Sequence, residues 1–153
     1  MEIGKPLPNL ILPTTFQGDL HLADFKNKKL ILFFYPKDCT SGCTREAQDF
    51  RDHYSQFQQF NTVIFGISKD NINAHKKFIS KENLPFDLIA DTEKKLCEYF
   101  QVIKSKNMYG KTVLGIERST FLIDEQGILR KEWRKVKVAG HVAEVLGVVK
   151  TLN

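Results

Sequence analysis

The sequence predicts an α/β chain: a mostly parallel central sheet with helices on its faces and an antiparallel edge. Three observations carry this. Short apolar runs bounded by turn residues alternate with stretches of helical period, the pattern of right-handed crossovers. The last two apolar runs are joined by DEQG, Asp124 to Gly127, a hairpin signal that adds an antiparallel edge. The 153 residues, 42% apolar and 27% charged, match the composition and size of one globular domain, residues 1–153.

The elements follow in order. Residues 1–29 read as an added hairpin or extended stretch. LILFFY, Leu30 to Tyr35, is a continuous apolar run ended by Pro36 and reads as a strand buried on both faces. From Ser41 to about Gln59, Ala47, Phe50, Tyr54 and Phe57 recur at steps of three and four, one face of an amphipathic helix. VIFGIS, Val63 to Ser68, is a second buried strand, and Asn71–Glu82 a second helix with Ala74, Phe78 and Ile79 inward. Pro85 starts a third strand, Phe86–Ala90. Thr92–Phe100 reads as a short helix facing inward through Leu96, Cys97 and Phe100. Thr120–Ile123 and Ile128–Trp133 form the hairpin, and Gly140 or His141 to Leu152 a closing helix. A β-α-β unit, a further helix and a β-β-α ending is the layout of a thioredoxin-like fold with an N-terminal extension.

Composition excludes several classes. The apolar content argues against a disordered chain. The longest apolar runs are about six residues, against the roughly twenty of a membrane helix, so no membrane association is expected. MEIGKPLPNL lacks a basic start leading into a long apolar stretch, which is not a secretory signal pattern. Three cysteines, an odd count, point to a reducing, cytoplasmic setting and to chemistry rather than stapling. Residues 1–100 carry 13 basic and 13 acidic side chains, and residues 101–153 carry 10 and 5, so the net charge of +5 lies in the last third. Much of it sits in RKEWRKVKV, Arg130 to Val138. We read this as a solvated strand edge whose cations oppose edge pairing. No nucleic-acid motif accompanies it, and specific nucleic-acid binding is not expected.

The chemistry concentrates in FFYPKDCTSGCTREAQDF, Phe33 to Phe50. A buried strand ends at Pro36, a short polar loop follows, and Cys43 falls in the first turn of the amphipathic helix. First-turn N–H groups have no partner within the helix, and the helix dipole is positive there. Both favour a thiolate over a thiol. Open sheets also place reactive groups at the carboxyl ends of their strands. Cys43 meets both conditions, and Cys39 and Cys97 do not.

Pro36, Thr40 and Cys43 stand as P-x-x-x-T-x-x-C. This resembles the active-site signature of the peroxiredoxins, thiol peroxidases on a thioredoxin-like scaffold. YPKDCTSGCTREAQDFRD is similar to the peroxiredoxin Q group, also called the bacterioferritin comigratory protein group. The resemblance continues in KNMYGKTVLGIERSTFLID, Lys106 to Asp124, and WRKVKVAGH, Trp133 to His141, and so spans nearly the whole chain. It implies that Cys43 attacks the terminal oxygen of a hydroperoxide and becomes a sulfenic acid. Thr40 would orient the thiolate and the peroxide oxygen through its hydroxyl. Arg118, in GIERSTF, would hold the thiolate and stabilise charge on the leaving oxygen. Pro36 would shield the sulfur, and Glu46 would anchor Arg118. No cofactor and no metal are implied, and the resemblance leans toward a monomer.

Several such residues are needed together. A free thiol of pKa about 8.5 is roughly 3% thiolate at pH 7, so full ionisation adds at most about thirtyfold. The remainder must come from donors aimed at the peroxide oxygens.

The sequence departs from the group at the step that clears the sulfenic acid. Many members carry a resolving cysteine five residues after the nucleophile, where this chain has Gln48, or in the next helix, where Asn71–Glu82 holds none. We therefore expect a one-cysteine cycle reduced by thioredoxin, or by glutathione with glutaredoxin. The alternatives are a two-cysteine cycle resolved by Cys39 or, less favoured, by Cys97, which we read as a small buried hydrophobe. A thioredoxin-like disulfide oxidoreductase needs C-x-x-C, and here the spacing is C-x-x-x-C. A metal-binding module would need paired histidines, and His21, His53, His75 and His141 are scattered.

Overall fold

A computed structural model describes residues 1–16, 18–25 and 27–152 of the chain, with the side chain of Met108 also outside the description. Nine strands and five α-helices are assigned among them. In chain order they are β1 (Ile11–Pro13), β2 (Asp19–His21), β3 (Lys29–Phe34), α1 (Ser41–Asp52), α2 (Tyr54–Gln59), β4 (Thr62–Ser68) and α3 (Ile72–Glu82). There follow β5 (Asp87–Ala90), α4 (Lys95–Tyr99), β6 (Ile103–Met108), β7 (Lys111–Ile116), β8 (Ser119–Ile123), β9 (Leu129–Trp133) and α5 (His141–Thr151).

Five strands form one sheet in the order β5-β4-β3-β8-β9. β3 pairs parallel with β4, and β4 parallel with β5; β8 is antiparallel to both β3 and β9. This is the mixed sheet expected from the alternation of elements, and β9, with Arg130 and Lys131 exposed, is its edge. Among the described residues, no helix is long and apolar enough to cross a membrane.

β3 is buried along its whole length, and its period of two divides the core. Leu30, Leu32 and Phe34 face one cluster with Leu12, Leu20, Leu22, Leu96, Cys97, Phe100 and Phe121. Ile31, Phe33 and Tyr35 face the other with Cys43, Ala47, Phe50, Phe78, Leu122 and Val145. The N-terminal hairpin β1–β2 and α4 therefore cover one face, and α1, α2, α3 and α5 the other. The hairpin answers to the extension expected over residues 1–29, of which Gln17 and Lys26 lie outside the described residues.

Three elements differ from the sequence reading. The helix expected over Ser41 to Gln59 is broken at His53, whose φ of −104° and ψ of 5° leave the helical range. The His53 ring lies 2.8 Å from the Asp49 carbonyl and shares it with its own backbone N–H at 3.3 Å. Across the break, Phe57 packs against Phe50 at a centroid distance of 5.9 Å. The helix expected from Thr92 begins only at Lys95, because Lys94 is left-handed (φ 61°) and closes a turn on Asp91. Asp91 then caps the delayed helix from the strand end, accepting from Leu96 N at 3.1 Å and Cys97 N at 2.7 Å. The third difference is the β6–β7 hairpin, unassigned from sequence. Its turn is Tyr109–Gly110, both at positive φ (53° and 77°), the two-residue geometry that matches strand twist. Most of β7 is exposed, so no buried alternation announced it.

Gly66, in the middle of β4, shows how tightly the aromatic layer packs. A Cβ there would lie 2.7 Å from Leu88 Cδ2 and 2.8 Å from Phe33 Cζ. Phe33 in turn stacks on Phe50 of α1 at 4.6 Å. Gly66→Ala should thus cost about 1–3 kcal/mol through overpacking. Urea denaturation at neutral pH tests this; an unchanged midpoint would show that the layer has slack.

Candidate active site

The sheet register decides where the site lies. Phe34, the last residue of β3, pairs with Ser119, the first of β8. Arg118, one residue outward from Ser119, therefore emerges where β3 gives way to the loop feeding α1. The Arg118 carbonyl is held there by Val136 N–H at 3.0 Å. Strand β3 delivers Tyr35, the loop carries Pro36 to Thr40, and α1 starts at Ser41. Cys43 then falls in the first turn and is 1% exposed.

Two segments far apart in sequence meet at this helix mouth. Arg118 Nη2 lies 3.5 Å from Cys43 Sγ, and Nη1 donates to Glu46 Oε1 at 2.8 Å. Cys43 and Glu46 are three residues apart and so share one side of α1. One planar guanidinium thus spans a sulfur and a carboxylate, a fork geometry that lysine cannot reproduce. Gly42 makes room for it. A Cβ at Gly42 would stand 3.2 Å from Arg118 Nη2, closer than the guanidinium can take without shifting. Gly42 was not among the residues singled out from sequence, and its role depends on a contact that sequence spacing does not reveal.

Glu46 is fully buried, and its Oε2 has no hydrogen-bond partner among the described residues. Burial raises its pKa to about 7, against the opposing pull of Arg118. For Arg118 itself, burial lowers the pKa but is outweighed by the neighbouring Glu46 and Cys43, so the guanidinium stays charged. Behind this pair, His141 at the start of α5 pairs through Nε2 with Thr120 Oγ1 at 2.8 Å. It also packs edge-on to Trp133 and Phe50. Burial lowers its pKa to about 4, partly offset by Glu144 and reinforced by Arg118.

The other sequence candidates are placed as follows. Pro36 is half-buried on the loop. Thr40 is the residue before the first helical turn, but it is exposed and its hydroxyl donates to the Lys37 carbonyl at 2.8 Å rather than meeting the sulfur. Cys39 is exposed on the same loop with a left-handed φ of 63°. Cys97 is brought to the opposite face of the sheet from Cys43, in the cluster under β1–β2 and α4. Its thiol pKa is raised well above the usual range, first by burial and then by the charge of Asp91. Gln48 donates to Glu82 at 2.7 Å and ties α1 to the end of α3.

A cysteine at a helix mouth with a guanidinium against its sulfur can act as a nucleophile whose negative charge is compensated. Residues 3–132 match the AhpC/TSA family. The chain belongs to the AhpC/TSA family. The chain is 51% identical to peroxiredoxin Bcp of Bacillus subtilis over all of this chain and 98% of that one. It is 52% identical to the putative peroxiredoxin Bcp of Coxiella burnetii over 96% and 97% of the two chains. Its fold is similar to that of Xanthomonas campestris peroxiredoxin Q, with a TM-score of 0.89 at 43% identity over 94% of this chain and 90% of that one. A second structure, of the X. campestris bacterioferritin comigratory protein, was solved in trapped intermediate and ligand complexes to study its alkyl peroxide reduction activity. It matches with a TM-score of 0.91 at 41% identity over 98% of each chain. The thioredoxin-like fold and the peroxiredoxin Q/Bcp resemblance are thereby borne out, and the peroxiredoxin belongs to the thiol-dependent peroxidase class of enzymes.

The two perturbed groups give the peroxiredoxin opposed pH dependences of stability. Glu46 binds its proton more tightly folded than unfolded, so its contribution is present below about pH 4.5 and is lost as pH rises through about 7. His141 binds its proton less tightly folded, so its contribution is present above about pH 6.5 and is lost as pH falls through about 4. Each is worth on the order of 3 kcal/mol. The stability difference between wild type and Glu46→Gln should fall between pH 4.5 and 7.5, while that between wild type and His141→Gln should fall from pH 6.5 to 4. Urea denaturation across that range checks both; parallel curves for wild type and either variant would remove that group from the balance.

Proposed function

We propose that the chain reduces hydrogen peroxide and organic hydroperoxides through Cys43. The observation that carries this reading is the 3.5 Å approach of Arg118 Nη2 to Cys43 Sγ, with Glu46 holding the same guanidinium through Nη1. The Cys43 thiolate attacks the terminal oxygen of ROOH and the O–O bond breaks. The sulfur gains oxygen to become a sulfenic acid, and the RO⁻ fragment takes a proton to leave as alcohol or, from hydrogen peroxide, as water. As charge moves from sulfur to the leaving oxygen, Arg118 stays within reach of both ends. Pro36 limits water at the sulfur. Thr40, the residue immediately before α1, presents a hydroxyl with lone pairs free to accept while it donates to Lys37.

For the return step we favour an external thiol. It condenses with the sulfenic acid, releasing water and forming a mixed disulfide, and a second thiol then frees Cys43 and leaves as part of a disulfide. Thioredoxin, or glutathione with glutaredoxin, fits this role. Cys97 is a poor resolving thiol, since the sheet stands between it and Cys43 and its own proton is held tightly. Cys39 is the second reading: it is exposed and four residues from Cys43, within the range a disulfide reaches if the helix start unwinds. We place the enzyme in a reducing compartment, acting as a monomer.

Cys43→Ser should abolish peroxide consumption. Arg118→Met should lower the rate constant for Cys43 oxidation by about 10²–10³-fold, the cost of removing one donor to a developing oxyanion. Turnover coupled to thioredoxin and to glutathione with glutaredoxin, followed in Cys39→Ser and Cys97→Ser proteins, decides the cycle. Retained turnover in both supports the external thiol. Loss in Cys39→Ser alone, with sulfenic acid formation intact, would convert the assignment to a two-cysteine enzyme.

A further inference from the structure

A buried network outside the Cys43–Arg118–Glu46 group converges on the loop that carries Pro36 and Thr40. Asp38, 7% exposed, is its centre. Tyr35 O–H donates to Asp38 Oδ1 at 2.6 Å, and His75 Nδ1 meets Asp38 Oδ2 at 2.7 Å. His75 is fully buried on α3, and its Nε2 lies 2.9 Å from the Ile89 carbonyl at the end of β5. A carbonyl only accepts, so Nε2 carries a proton, and a single further proton lies between Nδ1 and Oδ2. Burial, then the charge of Asp38, raises the Tyr35 pKa well above its ordinary value and keeps its hydroxyl a donor. The Asp38 amide donates to Asp70 Oδ2 at 2.8 Å, and Ser68 O–H donates to that same oxygen at 2.6 Å. The Asp38, Asp70 and His75 ligand atoms lie within 4.8 Å of one another, close enough to suggest a cation. Each residue is, however, already engaged by hydrogen bonds, and the network explains their proximity without an ion.

The Asp38 amide and the Lys37 carbonyl belong to one peptide unit. Its N–H end is fixed by Asp70, and its carbonyl end accepts the Thr40 hydroxyl at 2.8 Å. The Thr40 carbonyl in turn accepts from Thr44 N–H at 2.8 Å and begins α1. The peptide plane that holds the Thr40 hydroxyl is therefore clamped at both ends, and the Asp38 side chain is pinned by His75 of α3 and by Tyr35, just past β3. From this we infer that His75 is a positioning residue for the peroxide reaction, holding Asp38 so that the 37–38 peptide anchors Thr40 at the mouth of α1. The inference rests on the peroxidase reading of Cys43 and adds to it a residue one helix away from the sulfur.

Two amide replacements separate positioning from mere packing. In His75→Asn the amide nitrogen falls near the place of Nδ1 and keeps the bond to Asp38. In His75→Gln it falls near Nε2 and keeps only the bond to Ile89. Each loses one buried bond, so their urea midpoints should drop by similar amounts. The single-turnover rate of Cys43 oxidation by hydrogen peroxide, read by quenched flow and intact mass, should fall about tenfold or more in His75→Gln, since small misplacements are costly. It should stay within about threefold of wild type in His75→Asn, whose Asp38 bond is preserved. Amide hydrogen exchange over residues 37–44 should quicken in His75→Gln and not in His75→Asn. Tyr35→Phe, which removes one hydroxyl and keeps the ring, should also slow oxidation and provides the test if His75→Gln does not fold. Equal oxidation rates in the two His75 variants, or a Tyr35→Phe protein as fast as wild type, would overturn the positioning role. A wild-type protein inert to peroxide would instead overturn the peroxidase reading and the positioning role with it.

Discussion

The candidate site depends on one pairing of strands. β8 runs antiparallel to β3 with Ser119 opposite Phe34, and this register brings Arg118 to the start of α1. Because side chains alternate along a strand, a slip of one residue would turn every β8 side chain to the opposite face. All five residues of β8 are buried, between the Phe121 cluster on one side and the Leu122 cluster on the other, so such a slip is costly. The precision of the site is thus inherited from the core. Arg118 also needs a free path over the first turn of α1, and Gly42 leaves it open.

Burial and charge are balanced at this helix mouth. Fully burying a carboxylate is expensive unless it is paired, and Arg118 supplies only part of the compensation for Glu46. One carboxylate oxygen remains without a partner among the described residues. The arrangement is better understood as a device that orients a cation than as a contribution to stability. A guanidinium held between Glu46 and Cys43 has little freedom to rotate away from the sulfur, and preorganised charge of this kind costs no reorganisation when a reaction begins. The His141–Thr120 pair packs against the Trp133 and Phe50 rings at the start of α5.

Much of the architecture was legible along the chain because the signals were local or periodic. The continuous burial of β3 follows from an uninterrupted apolar run, and the amphipathic face of α1 from its spacing of three and four. Where reading failed, a side chain acted on a backbone that periodicity alone describes as regular. The helix breaks at His53, whose ring and backbone N–H share the Asp49 carbonyl, and Asp91 sets the start of α4 from beyond its own turn. The β6–β7 hairpin escaped because its strands face outward and carry no alternating buried pattern.

What the sequence by itself determined is the placement of Cys43 in the first turn of a helix behind a buried strand, together with a family signature specific enough to name its class. Helix polarity and strand burial are properties of neighbouring residues, and neighbours are visible in one dimension. The tertiary structure decided what surrounds the sulfur: Arg118, separated by 75 residues, at its side, Cys97 behind the sheet, the Thr40 hydroxyl on the Lys37 carbonyl, and His75 under the loop. These follow from strand register and from which face of a sheet each helix covers, quantities that exist only once distant segments have packed.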